Sequence, residues 1–259
     1  MASKSVRKQI KIIAQGIKVL GISTGRMSKI NFFLPSPQEQ EKIASFLSSV
    51  DNKIEQLSKK KQLLEQYKKG VMQKIFSRKL RFKDNNGNNF PDWEDKQLGN
   101  MANITTGKLD ANAMVEGGGY RFYTCAKQFF QIDKYAFNTD ALLISGNGAN
   151  VGYVHHYNGK FNAYQRTYVL DGFIENIAYV KCYLDFFLKR RITVEKKDGN
   201  TPYIVMSTLS KMQIARPHPE EQQKIASFLS SLDDKINLIT TELTQAKTFK
   251  KGLLQQMFV

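Results

Sequence analysis

Stepping along the chain from Ile43 by four and three residues in turn lands on Leu47, Val50, Ile54, Leu57, Lys61, Leu64, Lys68, Val71 and Ile75, so that eight of ten positions are apolar. The same walk from Ile225 meets Leu229, Leu232, Ile236, Ile239, Leu243, Ala246, Lys250, Leu253 and Met257, nine of ten apolar. A heptad stripe sustained over this length predicts coiled-coil helices rather than ordinary surface helices, because the stripe is buried only by a second helix with the same periodicity. Each pattern begins at a proline, Pro37 or Pro219, followed by glutamates. Proline in a first helical turn gives up only an N–H that has no acceptor there, and carboxylates suit the positive end of the helix dipole. Helices of about 38 residues span roughly 57 Å at 1.5 Å per residue. The economical arrangement packs the two on each other.

Between them, over residues 81–218, the period changes. Lys83 to Asn89 (KDNNGNN) is a polar connection without periodicity. Short runs rich in aromatic and β-branched residues follow: Tyr120 to Thr124, Ala141 to Ile144, Tyr153 to Tyr157 and Tyr164 to Leu170. Gly117 to Gly119, Asn147-Gly148 and Asn158-Gly159 read as the turns between them. Residues 176–191 read as a helix ending in Lys189-Arg190-Arg191. The fold class expected is therefore α+β: a compact mixed α/β globule with two long helices, and not a βαβ nucleotide fold.

The two helical stretches are copies. Shifted by 182, PQEQEKIASFLSSVDNKI at 37–54 falls on PEEQQKIASFLSSLDDKI at 219–236, and 37–76 shares nineteen of forty residues with 219–258 without a gap. Upstream, Met27 to Ile30 falls on Leu209 to Met212, Pro35 on Pro217, Ile10 on Ile192, and Arg7-Lys8 on Lys189-Arg190. A unit of this length is far beyond solenoid periods of about 20–50 residues, and two copies imply a pseudo-twofold plan. Nothing ahead of the first copy matches 81–182. The expected organisation is 1–36 as the tail of a first globule, 37–80 as a central helix, 81–218 as a complete globule and 219–259 as a closing helix.

Charge narrows the partner. The 259 residues carry 39 Lys+Arg against 23 Asp+Glu, a formal +16, with 41% hydrophobic residues. That apolar fraction is enough for a core and argues against a disordered basic tail. No uninterrupted apolar run approaches the roughly 18 residues that would suggest a membrane span. The start, MASKSVRKQIK, lacks the apolar core of a secretory signal. Cys125 and Cys182 match no metal-binding spacing. The basic excess is uneven: residues 1–37 hold seven Lys/Arg and no acid, and 187–218 hold seven against two. A polyanion, most simply double-stranded DNA, is the expected partner. Lys189, Arg190, Arg191, Lys196 and Lys197, with Arg7 and Lys8 in the first copy, are the candidate backbone contacts, since each would neutralise a phosphate. Base readout calls for Arg, Asn, Gln or His on loops, where bidentate bonds discriminate guanine and adenine. By residue type the candidates are Asn147, Asn150, His155, Gln165 and Arg166. Tyr120, Tyr123, Tyr164 and Tyr168 are expected in the core or in strand pairs.

Catalytic patterns are lacking. Ser145 to Gly152 (SGNGANVG) has its third glycine one place too late for a dinucleotide loop and is followed by a strand, so it reads as a hairpin turn. No phosphate-cradling GxxxxGK[ST], GxSxG or HExxH occurs. His155 and His156 are neighbours on a strand and face opposite ways, which prevents joint metal ligation. The chain is expected to be neither an enzyme nor a metal binder.

With the duplicated PxxEQxKIAxFLxxxDxKI motif at 37–54 and 219–236, the Trp93-Glu94, Leu98-Gly99 and Thr106-Gly107-Lys108 groups, and the LLISGNGANVGYV and KFNAYQRTYVL blocks, the chain resembles the specificity subunit of type I restriction–modification enzymes. The resemblance covers nearly the whole chain. It implies target-recognition domains, each reading half of a bipartite DNA site, and two conserved helices paired as an antiparallel coiled-coil spacer. On that pattern Ile43, Leu47, Val50, Ile54, Leu57, Ile225, Leu229, Leu232, Ile236 and Ile239 form the seam. It also implies a methyltransferase subunit that uses S-adenosylmethionine to methylate adenine, a separate restriction subunit that cuts, no cofactor in this chain itself, and a bacterial cytoplasmic setting. With one complete recognition domain the chain resembles a half-length form, for which pairing of two copies is expected. The rival readings are a stand-alone sequence-specific DNA-binding regulator and a non-catalytic coiled-coil scaffold.

Overall fold

A computed structural model describes residues 4–14, 21–31, 34–195 and 203–257. They fall into two compact units, one made of the described residues up to Tyr67 together with those from Leu232 onward, the other of Lys68–Ser231. No helix among them is long and apolar enough to cross a membrane.

The first unit is helical: α1 (Lys4–Ile13), α2 (Thr24–Met27), most of α3 (Pro37–Phe76) and the later part of α6 (Pro219–Met257). Both long helices begin at the predicted prolines. From Ile43 to Lys68 the heptad positions are the only residues of α3 shielded from solvent; every residue between them is exposed. The seam positions of α6 from Leu232 to Leu253 are shielded likewise, and Met257 lies open. An ion pair of Lys250, in the later part of α6, with Asp51, in the first half of α3, joins the two helices, as the expected antiparallel pairing would. Lys61 also bridges to Glu65, one turn on. The first copy of the upstream segment is held by its own bonds: Gln9 Nε2 donates to the Asn31 carbonyl at 2.7 Å, and the Asn31 N–H returns a bond to Gln9 Oε1 at 2.9 Å.

The second unit is built on a mixed six-stranded sheet of order β2-β7-β5-β6-β3-β4. Its strands are β2 (Asn103–Thr106), β3 (Tyr120–Tyr123), β4 (Phe130–Ile132), β5 (Phe137–Ser145), β6 (Val154–Ala163) and β7 (Thr167–Asp171). β1 (Glu94–Gln97) and β8 (Gln213–Arg216) form a separate antiparallel pair. Alternation in the strands separates two buried sets. Tyr123, Ala141, Leu143, Phe161, Ala163 and Val169 make one cluster, while Phe122, Leu142, Ile144 and Leu170, also fully buried, point the other way. α4 (Ile177–Glu195) lies against β5 and β6 and buries Leu184, Leu188 and Ile192. Phe76, the last residue of α3, enters a nest of rings from α4, with Tyr183, Phe186 and Phe187 centred 5.2, 5.4 and 5.6 Å away.

One predicted turn is not a turn. β6 runs unbroken through Asn158-Gly159, and the chain reverses at Tyr164–Arg166 instead. Eight consecutive residues of β5, Phe137 to Ile144, pair with β6, and Gly159 takes a φ of 139° opposite Thr139. This long ladder outweighs the local turn preference of the Asn-Gly pair. The Ser145–Gly152 stretch is a hairpin loop, with Gly148 and Gly152 both at a φ of 77°.

The repeat holds element by element. Adding 182 carries α1 onto the later part of α4; α2 falls on α5 (Met206–Ser210) and the start of α3 on the start of α6. Even the helix entry is copied. Gln40 Nε2 donates to the Pro35 carbonyl at 2.7 Å, as Gln222 Nε2 does to that of Pro217 at 2.9 Å. The surroundings differ. Leu209 is 0% exposed where its counterpart Met27 is 56% exposed, and Glu221 is 0% exposed where Glu39 lies open.

Candidate nucleic-acid interface

The predicted base readers come from three places in the sequence, and hydrogen bonds through the segment after β3 bring Asn150, His155 and Arg166 near one another. Asn147 and Asn150 sit in the β5–β6 loop, His155 near the start of β6, and Gln165 and Arg166 in the β6–β7 turn. The segment after β3 ties them together. Asn150 Nδ2 donates to the Cys125 carbonyl at 3.1 Å, His155 Nε2 lies 2.9 Å from the Ala126 carbonyl, and the Cys125 thiol reaches the Arg166 carbonyl at 3.4 Å. The Gly146 N–H closes the ring with a 2.9 Å bond to that same carbonyl.

These bonds also say which side chains are available. The Asn150 amide and the His155 ring are engaged within the fold, and Gln165 Nε2 donates to Asp110 Oδ1 at 2.8 Å. Asn147 is half-buried and bridges to Tyr203. Arg166 alone of the five is exposed with no side-chain bond of its own among the described residues. Residue type finds such a cluster, but it does not foresee that the fold needs the same polar groups to hold its loops.

His155 is packed between Tyr123 and Tyr153, with ring centres 5.0 and 4.8 Å away. Burial pushes its pKa below the ordinary value, against a smaller upward pull from the Ala126 carbonyl. The unfolded chain therefore takes up this proton first. Stability from the neutral ring is present above about pH 6.5 and is lost as the pH falls through the ordinary histidine pKa toward the folded one. The melting temperature of His155→Gln is expected to fall less between pH 7.5 and 5.5 than that of the unaltered protein, because the ring that resists protonation in the fold is gone. Parallel pH profiles for the two would refute this role. His156 faces the other way and bonds Asp140 at 2.8 Å.

The basic cluster lies at the C-terminal end of α4. Lys189 and Arg190 are exposed, whereas Arg191 is half-buried and bridged to Glu195 at 3.0 Å. Lys196 and Lys197 lie outside the described residues. Arg7 and Lys8 are exposed on α1. Sequence reasoning passed over a second basic group: Arg121 on β3, held between the rings of Phe129 and Tyr157, each centred 4.3 Å from its guanidinium carbon.

A family model described as the type I restriction modification DNA specificity domain matches residues 3–66 and 91–248, which takes in most of both copies of the repeat and the whole of the sheet. The chain belongs to that family. Among curated members, it is similar to the type I restriction enzyme EcoDI specificity subunit of Escherichia coli, 36% identical over 167 residues, covering 63% of this chain and 37% of that protein. The MjaVIII specificity subunit of Methanocaldococcus jannaschii is 25% identical over 253 residues, covering 85% and 59%. The specificity-family chain thus spans less than two thirds of these relatives. Its fold is that of a type I restriction–modification S subunit from M. genitalium (TM-score 0.69, 19% identity, 99% of this chain and 70% of that one) and of the HsdS subunit from Thermoanaerobacter tengcongensis (TM-score 0.56, 15% identity, 99% and 66%).

Proposed function

We propose that this protein is the DNA-reading, non-catalytic component of a type I restriction–modification assembly in the bacterial cytoplasm. Residues 81–218 read one half of a bipartite site, and the paired helices set the spacing and present the methyltransferase and restriction subunits. S-adenosylmethionine belongs to the methyltransferase partner. The observation that carries this reading is the family match running through both copies of the repeat with a recognition globule between them. The loops tied together through Cys125 and Ala126, the exposed Lys189 and Arg190, and the net charge of +16 support it. Co-expression with a type I methyltransferase subunit tests it. The two are expected to co-purify, and cellular DNA is expected to gain N6-methyladenine at one split motif; a chain that binds its site tightly with no methyltransferase and confers no methylation would instead be a stand-alone regulator.

Two copies of the chain are proposed to act together. In the second copy of the repeat, Leu209 and Glu221 are buried by the recognition globule, while Met27 and Glu39 in the first copy are exposed. Residues 1–36 are accordingly read as the tail of a recognition domain, with a face suited to a second globule. Light scattering that finds monomers alone, both free and with methyltransferase subunit and DNA, would refute the pairing.

Replacing Lys189, Arg190 and Arg191 together with alanine is expected to weaken binding on all sequences alike and to flatten its salt dependence by two to three phosphates' worth, roughly 2–3 in the log–log slope. An unchanged slope would leave this cluster as a solvated face of α4.

A further inference from the structure

β3, β4 and β6 border a cavity of about 410 Å³ lined by Gly118, Gly119, Arg121, Gln131, Tyr157 and Lys160, among others. Two cations line it, Arg121 clasped by two aromatic rings and Lys160 resting near one. The Arg121 guanidinium lies between Phe129 and Tyr157, and its Nη1 donates to the Tyr123 hydroxyl at 3.3 Å. Lys160 Nζ sits 4.8 Å from the centre of Tyr135, which itself packs on Tyr120 with centres 5.0 Å apart. No carboxylate among the described residues pairs with either cation. The floor is shaped by a glycine run. Gly117 turns at a φ of 80° and donates its N–H to Gln131 Oε1 at 2.9 Å, and a Cβ on Gly118 would come within 2.5 Å of the Ile132 backbone.

A cation held against ring faces has given up its rotamer freedom before any ligand arrives, so binding an anion costs less. The rings are taken up by the protein's own cations, which leaves hydrogen-bond donors and positive charge, rather than stacking surface, facing the cavity. That is the chemistry of phosphate recognition, for which the planar guanidinium fork is suited.

We propose that this cavity seats one phosphate of the DNA backbone, held by Arg121 and Lys160, and so fixes the position of the recognition domain on the duplex without reading a base. The proposal rests on the DNA-reading assignment above. The contact is independent of sequence, so it can be tested on mixed-sequence duplex DNA with the full chain bound to a methyltransferase subunit. Each neutralised phosphate contributes about 0.9 to the slope of log affinity against log salt. Arg121→Ala is expected to lower that slope by about 1, Lys160→Ala by up to about 1, and the double variant by about 1 rather than 2, because both cations serve one phosphate. The sequence selected from a random pool is expected to stay the same. Unchanged slopes in all three variants overturn the proposal. So does a changed target sequence, which would make Arg121 a base reader, or Arg121-dependent binding of free deoxynucleoside monophosphate with no change in the DNA slope. Lys160 is exposed, so its variant keeps the test valid if Arg121→Ala fails to fold. If the unaltered chain binds no DNA, the DNA-reading assignment itself fails; if it binds and the variants match it, only the phosphate seat fails.

Discussion

Glu221→Ala is expected to destabilise the recognition unit by about 3–5 kcal/mol, while Glu39→Ala, the same residue of the same motif one repeat earlier, changes stability by less than about 0.5 kcal/mol. Glu221 is fully buried at the start of α6, and both of its oxygens are filled. Arg81 donates to Oε1 and Oε2 at 2.8 and 2.9 Å, the Trp93 indole donates to Oε2 at 2.9 Å, and the Phe82 N–H reaches Oε1 at 3.3 Å. The carboxylate bond, chiefly, holds the Arg81 guanidinium above its ordinary pKa. Truncating Glu221 leaves the buried Trp93 indole N–H without its acceptor and takes from Arg81 its buried carboxylate, leaving that guanidinium only the Phe90 and Pro91 carbonyls and the exposed Asp92, and each unmade bond costs the desolvation of its donor. The Glu39 side chain is exposed, and the residue's N–H donates to Ser36 Oγ at 3.3 Å. Trp93 is the one tryptophan of the chain, so its fluorescence during urea unfolding reports this network directly. Equal, small effects in the two variants would mean that the buried carboxylate does not hold the unit together.

Placing aspartate at both Leu232 and Ile239 is expected to separate the paired helices. The two side chains are 4% and 3% exposed, in the best-covered stretch of the seam outside the recognition unit, with Leu57 5% exposed on α3. Each substitution loses the transfer energy of a large aliphatic group and leaves a carboxylate that must either ionise away from water or take a proton, roughly 3–5 kcal/mol per site. Helical ellipticity is expected to fall and to melt at a lower temperature, while the sequence preference of the recognition unit stays as it was. Aspartate at the exposed Leu238, on the same helix, serves as the control and should leave the melt unchanged. Should the doubly substituted protein melt like the control, the seam has been assigned to the wrong face.

The helices were legible because their stripe repeats over many turns, and the duplication marks both of their starts. α4 and the Ser145–Gly152 hairpin were legible too, the first from its apolar run and the second from its glycines. What escaped depends on contacts distant in sequence. Asn158-Gly159 carries a turn signal that eight paired residues of β5 override, and nothing local announces the parallel pairing of β3 with β6. Arg121 looks like one polar residue in a strand of aromatics until Phe129 and Tyr157 close on it. Glu221 reads as a helix-dipole residue, as Glu39 does, and only the arrival of Arg81 and Trp93 makes it a buried anchor. Residue type located the candidate readers. It could not show that Asn150, His155 and Gln165 are engaged by the loops they sit on.

The seam of the helix pair is unevenly covered. Ile43, Leu47, Val50 and Ile54 are each half-buried, as are Leu243, Ala246 and Leu253, whereas Leu57, Leu232 and Ile239 are buried. Local opening costs least where the least apolar surface is returned to water. The pair is therefore built like a zip fastened at one end. Its free end, where α3 begins and α6 finishes, is expected to open before the rest, with the Asp51–Lys250 pair as a polar catch set within that weaker half.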